Sequence, residues 1–445
     1  MTFIEKEWNR ALYRIISNAD ALSHTKGWVY LMYYPLLKEV CSMKRHLFTT
    51  SDTVSYTPDL VDAFYFNFNL YDTTLPIITL DQFKSVLDET DFFVPSPVKS
   101  YACGYSDYTD KRLLVNYHDA SPCFSFCGQH FQLEPLSPQA AISEREKDRT
   151  LGFILESLMD NGIVDPSLQL TLWDILSGYG GLAVKMFMTV SKWLYPLLHF
   201  YRGEVVTDQT LAPGQCCVNH LLKSSGNRIT VLQHQKNIIL TDLYPIVYLD
   251  FCLADKYVSW VSREALLYNY SDYVDTIPVN VIQRGEIRFR HEDVSRIADR
   301  LENGKKCLLI LTSRERKYIS GTVLDSRDTG STTDIVHVMC EFGYEVYVRR
   351  DPRDKSLAPN GDFLVDDSRS LQEAIAKYDF CICDRPGGAT IEVLEQSGFV
   401  FVPARLEGFK RTPTYNDLNV KQAHIRELIS IDKGGLFDMF DLLCA

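Results

Sequence analysis

Nowhere in the 445-residue chain do two aspartates stand two residues apart. The Asp-x-Asp device that holds a divalent ion beneath a nucleotide-sugar is therefore missing, and no metal is expected. There is no GxxxxGK(S/T) loop and no GxGxxG fingerprint, which argues against a phosphate-hydrolysing ATPase and a dinucleotide oxidoreductase. The 12 cysteines include no Cys-x-x-Cys pair and no Cys/His set at zinc spacing, so free thiols in a reducing cytosol are expected. Basic residues are outnumbered, giving a net charge of -12, which argues against nucleic acid as a partner. Long apolar runs are scarce as well. The best candidate, 182–201, carries Lys185 and Lys192 and reads as a packed or interfacial helix rather than a span. The first nine residues are polar, without the apolar core of a secretory signal. The expected location is the cytoplasm, with peripheral contact on the inner face of the membrane as the further option.

Apolar residues make up 46% of the chain and charged residues 23%, the balance of a folded protein with core enough for two or three domains. Trp8, Leu12, Ile15 and Ile16 fall at helical spacing within 6–48. Short apolar runs at 63–68, 91–95 and 112–117 read as strands feeding loops, 134–149 as a polar surface excursion, and 150–202 as helical. Strand patterns at 203–207, 228–233 and 255–260 then alternate with helix patterns at 217–224 and 263–269. A short charged stretch at 285–290 reads as a hinge. Beyond it the alternation restarts, with strands at 307–312, 345–349, 363–365, 380–383 and 399–402 and helices at 334–342 and 370–377. The expected fold class is α/β, with two doubly wound Rossmann-like domains facing a cleft. Residues 1–285, with helical insertions, form one and 286–445 the other, the final helix packing back on the first.

The most informative stretch is 378–394, Y-D-F-C-I-C-D-R-P-G-G-A-T-I-E-V-L. A four-residue apolar strand enters a turn at Pro386, Gly387 and Gly388, and a helix follows at 389–396. The glycines let backbone approach a ligand closely, while the helix start offers unpaired N–H groups and partial positive charge. Phosphate is the expected occupant. Ligands of open α/β sheets bind beyond the carboxyl ends of the strands. In the second half four of five strand ends carry arginine: Arg314 with Lys317 close by, Arg349 with Arg350 and Arg353, Arg385, and Arg405. Guanidinium groups bind phosphate bidentately, so a diphosphate is the expected ligand. In the first half two strand ends finish in His118 and His234. A neutral imidazole there can take a proton from a hydroxyl near neutral pH. Gly178, Gly180 and Gly181 read as a further glycine-rich turn with no assigned role.

In the order of its motifs the chain resembles GT-B glycosyltransferases. Among these it is most similar to the bacterial CDP-glycerol glycerophosphotransferase-like and capsule transferases of surface-polysaccharide and teichoic-acid assembly. Their first domain has a strand ending in Gln-His-Gly or Trp-His-Gly, then a strand containing Asp-Lys-Tyr. Here 230–234, ending Gln233-His234, and Ala254-Asp255-Lys256-Tyr257-Val258 are similar. Their second domain opens with a strand followed by Thr and Arg, as Thr312-Ser313-Arg314 does, and continues with Arg-x-His-Pro, matched by Arg349-Arg350-Asp351-Pro352. It ends in an aspartate, small residues and a glutamate-bearing helix, as 384–392 does. The Gly387-Gly388-Ala389-Thr390 turn also resembles the donor loop of lipid-linked sugar transferases of cell-wall synthesis. The likeness spans about 230–405. Gln235 replaces the family's glycine and Asp351 its histidine, which favours sugar over glycerol-phosphate transfer and leaves an inactive member open.

The resemblance implies a metal-independent glycosyltransferase that needs no cofactor. Its nucleotide-sugar donor would lie in 286–445, held by Arg314, Lys317, Arg385, Gly387, Gly388, Ala389 and Thr390, with the ribose on Glu392. A glycan or lipid-linked acceptor would lie in 1–285, with His234, or else His118, as general base. The same architecture also serves nucleotide-sugar 2-epimerases, polyol-phosphate transferases and noncatalytic scaffolds of polysaccharide assembly.

Overall fold

The structure, a computed structural model, describes residues 77–79, 81–82, 113–118, 121–126, 129–134, 142–160, 162, 166–208, 213–233, 236–240, 250–251, 253–271, 276–311, 329–350, 364–404 and 411–445. The helix read at 6–48 and the strands read at 63–68 and 91–95 lie outside the described residues. One sheet has eight strands: β1 (Ile77–Ile78), β2 (Leu113–His118), β3 (Ser121–Phe126), β4 (Gln129–Leu133), β5 (Glu204–Asp208), β6 (Arg228–Leu232), β7 (Lys256–Ser259) and β8 (Asn280–Gln283). Their order is β1-β4-β3-β2-β5-β6-β7-β8. β2 and β5 to β8 are parallel neighbours, while β3 runs antiparallel to β2 and β4.

Side-chain alternation along these strands sorts the core. Val205, Ile229, Val231 and Tyr257 belong to one large cluster with α1 (Glu144–Asp160), α2 (Gln169–Phe200) and α3 (Pro213–Ser224). Val206, Leu232 and Val258 form a small separate cluster on the opposite face. In α2, Leu172, Leu176, Ala183, Phe187 and Leu194 recur at helical spacing and are buried. The glycines at 178–181 lie inside this uninterrupted helix, so the turn expected there is not formed. A Cβ at Gly180 would stand 3.0 Å from the Leu151 side chain, so the missing side chain serves close packing of α1 on α2. α1 itself starts at Glu144, inside the stretch read as a surface excursion, with Ser143 Oγ accepting from the Glu146 N–H at 3.2 Å. No helix among the described residues is long and apolar enough to cross a membrane.

A second sheet contains β9 (Lys306–Leu311), β10 (Glu345–Arg350), β11 (Leu364–Val365), β12 (Phe380–Cys383), β13 (Phe399–Pro403) and β14 (Phe440–Cys444), in the order β11-β10-β9-β12-β13-β14. All pairs are parallel except β13 with β14. Cys307, Leu309 and Leu311 of β9 pack with Ile297 and Leu301 of α5 (Val294–Asn303) and Met339 of α6 (Thr329–Glu341). Leu308 and Ile310 belong instead with Ile375 of α7 (Leu371–Lys377) and Ile391 and Leu394 of α8 (Gly388–Ser397). Each fully buried side chain of this size contributes about 1.5–3 kcal/mol, which holds the sheet between two helical layers. The strand order reverses between β9 and β12, as a doubly wound sheet requires. The first sheet also reverses its order, between β2 and β5, but β3 runs antiparallel to its neighbours there, so among the described residues only the second sheet has parallel strand pairs directly on both sides of its reversal.

The chain passes between the sheets along 284–293. This stretch, read as a hinge, lies against α8: the Arg290 N–H donates to Leu394 O at 3.0 Å and its Nη1 to Gln396 O at 2.9 Å. The expected return of the final helix onto the first half is corrected. α10 (Gln422–Leu428) packs on α5 of the second half, and the chain ends in β14, a strand the sequence reading lacks. The return is made by α9 (Pro413–Asn419), which packs on α4 (Arg263–Tyr270). Tyr268 OH donates to Asp417 Oδ2 at 2.8 Å, the Thr414 N–H donates to Asn269 Oδ1 at 3.1 Å, and Thr412 Oγ1 donates to Ile239 O.

Candidate functional site

The strand order reverses between β9 and β12, the point beyond whose carboxyl ends open α/β sheets take their ligands, and the turn 384–387 follows β12 there. The Asp384 N–H prolongs the ladder by donating to Ile310 O at 3.0 Å. Thr390 then ties the turn from within. Its hydroxyl donates to Arg385 O at 3.2 Å and accepts from the Gly387 N–H at 3.0 Å, and the residue is fully buried. The Thr390 hydroxyl, one of the groups expected at the phosphate site, is engaged in holding the turn. Below it, the buried Cys383 thiol is pushed well above its usual range by burial, so it remains protonated.

Gly387 has φ -158°, an extended geometry open to any residue. A Cβ added at Gly388 would meet nothing within 4 Å. Neither glycine is demanded by local strain, and what their bareness provides is an uncovered helix start. The N–H groups of Gly388 and Ala389 have no acceptor among the described residues, and α8 directs its partial positive charge at the same spot. Arg385, half-buried beside this start, makes no ion pair with a described residue.

One turn further along α8, Glu392 faces the first half of the chain. Burial raises its carboxyl above the usual range, Lys236 pulls it back, and Glu395 pushes it up again. Lys236 sits on a short 3-10 turn (Lys236–Ile239) shortly after β6. Its Nζ donates to both Glu395 oxygens, at 3.0 and 2.9 Å, and lies 5.3 Å from the centre of the Trp260 ring. Arg284 approaches the same ring at 4.9 Å. Lys236, Trp260 and Arg284 follow β6, β7 and β8, so residues after three first-sheet strands meet one another, and Lys236 carries the contact to α8. The sequence reading missed all three, although they obey the strand-end rule that selected the arginines.

Of the strand-end arginines, Arg349 is tied into the fold through its Nη1. Its Nη1 donates to Asp366 Oδ2 at 2.5 Å and to Ser368 O at 2.9 Å. Asp366 also accepts from Ser368 Oγ at 2.6 Å and Tyr378 OH at 2.9 Å. Burial opposes ionisation of Asp366, but these bonds outweigh it and hold the carboxyl below its ordinary value. Arg314, Lys317, Asp351, Arg353 and Arg405 lie outside the described residues, as do His234 and Gln235. Gln233, just before His234, is buried, its Oε1 accepting from Ser259 Oγ at 2.6 Å and the Trp260 N–H at 3.2 Å. His118 closes β2 opposite Ser121 of the antiparallel β3, at the carboxyl end that β2 shares with β5. The described site therefore gathers Arg385, Gly387, Gly388, Ala389 and Glu392 on one strand–helix turn. No protein-family profile matches this chain, and no curated protein sequence matches it.

Proposed function

We propose that the chain is a metal-independent GT-B glycosyltransferase that moves a sugar from a nucleotide-sugar to a surface-polysaccharide or glycolipid acceptor at the cytoplasmic side of a membrane. The observation that carries this reading is the bare start of α8 at the reversal point of the second sheet, with Arg385 beside it and Glu392 one turn along. Support comes also from the contact that Lys236, following β6 of the first sheet, makes with the same helix, the side from which an acceptor would come. A helix start contributes roughly 0.3–2 kcal/mol to an anion, so Arg385, with Arg314 and Lys317, would supply most of the diphosphate binding.

In this mechanism the acceptor oxygen forms a bond to the anomeric carbon as the bond from that carbon to the diphosphate oxygen breaks. The acceptor proton passes to His234, with His118 as the second candidate, and the nucleoside diphosphate leaves with its charge at the helix start. Donor panels of nucleotide-sugars with and without acceptor test the reading. Acceptor-dependent nucleotide release is expected. A changed sugar on an intact nucleotide would mean epimerisation, and no reaction and no binding with any donor would leave a scaffold. His234→Ala should keep donor binding while turnover falls about 10²–10⁴-fold. Lost donor affinity with normal turnover at saturating donor would overturn its role as base.

A further inference from the structure

Lys236 belongs to the first half, yet both of its polar contacts across the interface are to one side chain of the second. The ammonium grips Glu395 through both carboxylate oxygens, with side chains 29% and 22% exposed, and the Trp260 ring fixes it from another side. Glu395 is thereby engaged. Glu392, three residues earlier on the same face of α8, makes no hydrogen bond to a described residue. It also lies four residues after Gly388, hence on the same side as the uncovered helix start and about 6 Å further along the axis. A single nucleoside diphosphate spans that distance from phosphate to ribose hydroxyls.

Resting on the nucleotide-site reading above, the geometry points to Lys236 as a positioning residue: by gripping Glu395 it docks α8 on the first half and holds Glu392 in place as acceptor for the two ribose hydroxyls. Lys236 thus joins donor occupancy to contact between the halves. Among the described residues the charged groups around Glu392 are few. Lys236 and Glu395 act on it directly. On elements packed against α8, Lys377 is paired with Asp367, Glu373 accepts from the Arg369 N–H, Arg290 donates to Gln396 O, and Asp384 heads the turn.

The test is calorimetric binding of UDP, CDP and GDP between pH 5 and 8 to the full chain and to K236M, K236R, E395Q and E392Q. Glu392→Gln should weaken the bound diphosphate roughly ten- to hundredfold, as expected for loss of a charged acceptor. In the wild type, affinity should fall as Glu392 takes up a proton at low pH. K236M should move that midpoint up, because the lysine favours the ionised form. E395Q should move it down, because a repelling neighbour is gone and the lysine is released towards Glu392. K236R should stay near the wild type. Because K236M and E395Q both break the grip, both should also weaken diphosphate binding several-fold at pH 8 while K236R does not, and midpoint shifts without that loss would show only charge acting on Glu392 and overturn the positioning role alone. If none of the three diphosphates binds the wild type at any pH, the nucleotide-site reading falls and this role falls with it.

Discussion

Arg349 and Arg385 stand at the same carboxyl edge of the second sheet, two strands apart. Around Arg349 the described polar groups are engaged: Asp366, Ser368 and Tyr378 close a small network whose carboxylate is wholly buried. Around Arg385 the neighbouring groups are a helix start without an acceptor and a glycine whose missing side chain leaves open space. Identical side chains at equivalent points of one edge therefore differ by what faces them. A guanidinium met by a carboxylate and a carbonyl, the carboxylate held in turn by two hydroxyls, locks two strands together. One met by bare N–H groups is free to add to the proposed anion site.

The contrast is broken most forcefully at Asp366. Asp366→Ala leaves the Arg349 charge buried without its counterion and should cost about 3–5 kcal/mol in urea unfolding. Arg385→Ala should move stability by no more than about 0.5 kcal/mol while weakening diphosphate binding. The pH dependence follows from the lowered carboxyl of Asp366. Its contribution is present above the unfolded value of about 3.9 and fades as pH falls through the lower folded value, so wild type and variant should converge in acid. Equal losses of stability from both substitutions would erase the distinction.

Gly388→Trp probes the open member. With nothing within 4 Å of its Cβ direction, the new side chain should fold without clash but cover the helix start. A loss of diphosphate affinity of about tenfold or more, with unfolding changed by less than about 1 kcal/mol, is expected. Unchanged affinity would mean that the anion, if bound at all, sits elsewhere.

The open member of the pair was the more legible one. Phe380–Cys383 is a run of four buried residues bounded by charge, and its strand emerges with the boundaries read from sequence. Gly387-Gly388 then marks the helix start directly. Arg349 was misread because its partner, Asp366, lies 17 positions away and is brought near only by the pairing of β10 with β11. β14 was missed for a related reason: Asp441 interrupts its apolar pattern, yet that charge is buried on Arg411 and Tyr415. The hairpin β3–β4 and the strand β8 were missed because their residues are mixed in polarity. The glycines of α2 looked like a turn because sequence alone does not show a helix packing at close range on another.

Thr390→Val separates a turn-holding role from a ligand-facing one. The replacement keeps the shape but removes the oxygen that joins Gly387 N and Arg385 O. It should cost about 1–3 kcal/mol, the range for leaving buried polar groups without a partner. Diphosphate affinity should drop only as far as the turn loosens. A large affinity loss at unchanged stability would assign the Thr390 hydroxyl to the ligand instead.

The smallest expected effect is at Glu392, and it has the opposite sign. Burial raises the Glu392 carboxyl, so the folded chain holds its proton more tightly than the unfolded one does. The stability linked to that proton is fully present below the unfolded value of about 4.3 and is lost as pH rises through the higher folded value. Glutamine stays neutral throughout. Glu392→Gln should therefore match the wild type near pH 4 and exceed it at pH 7.5, by an amount within about 1 kcal/mol. The same substitution should cost diphosphate affinity, so stability and binding would move in opposite directions at one residue. Asp366 shows the reverse, a carboxyl whose ionised form stabilises the fold. Urea midpoints at the two pH values measure it. A variant less stable than the wild type at pH 7.5 would place Glu392 with Asp366, among the groups that hold the fold.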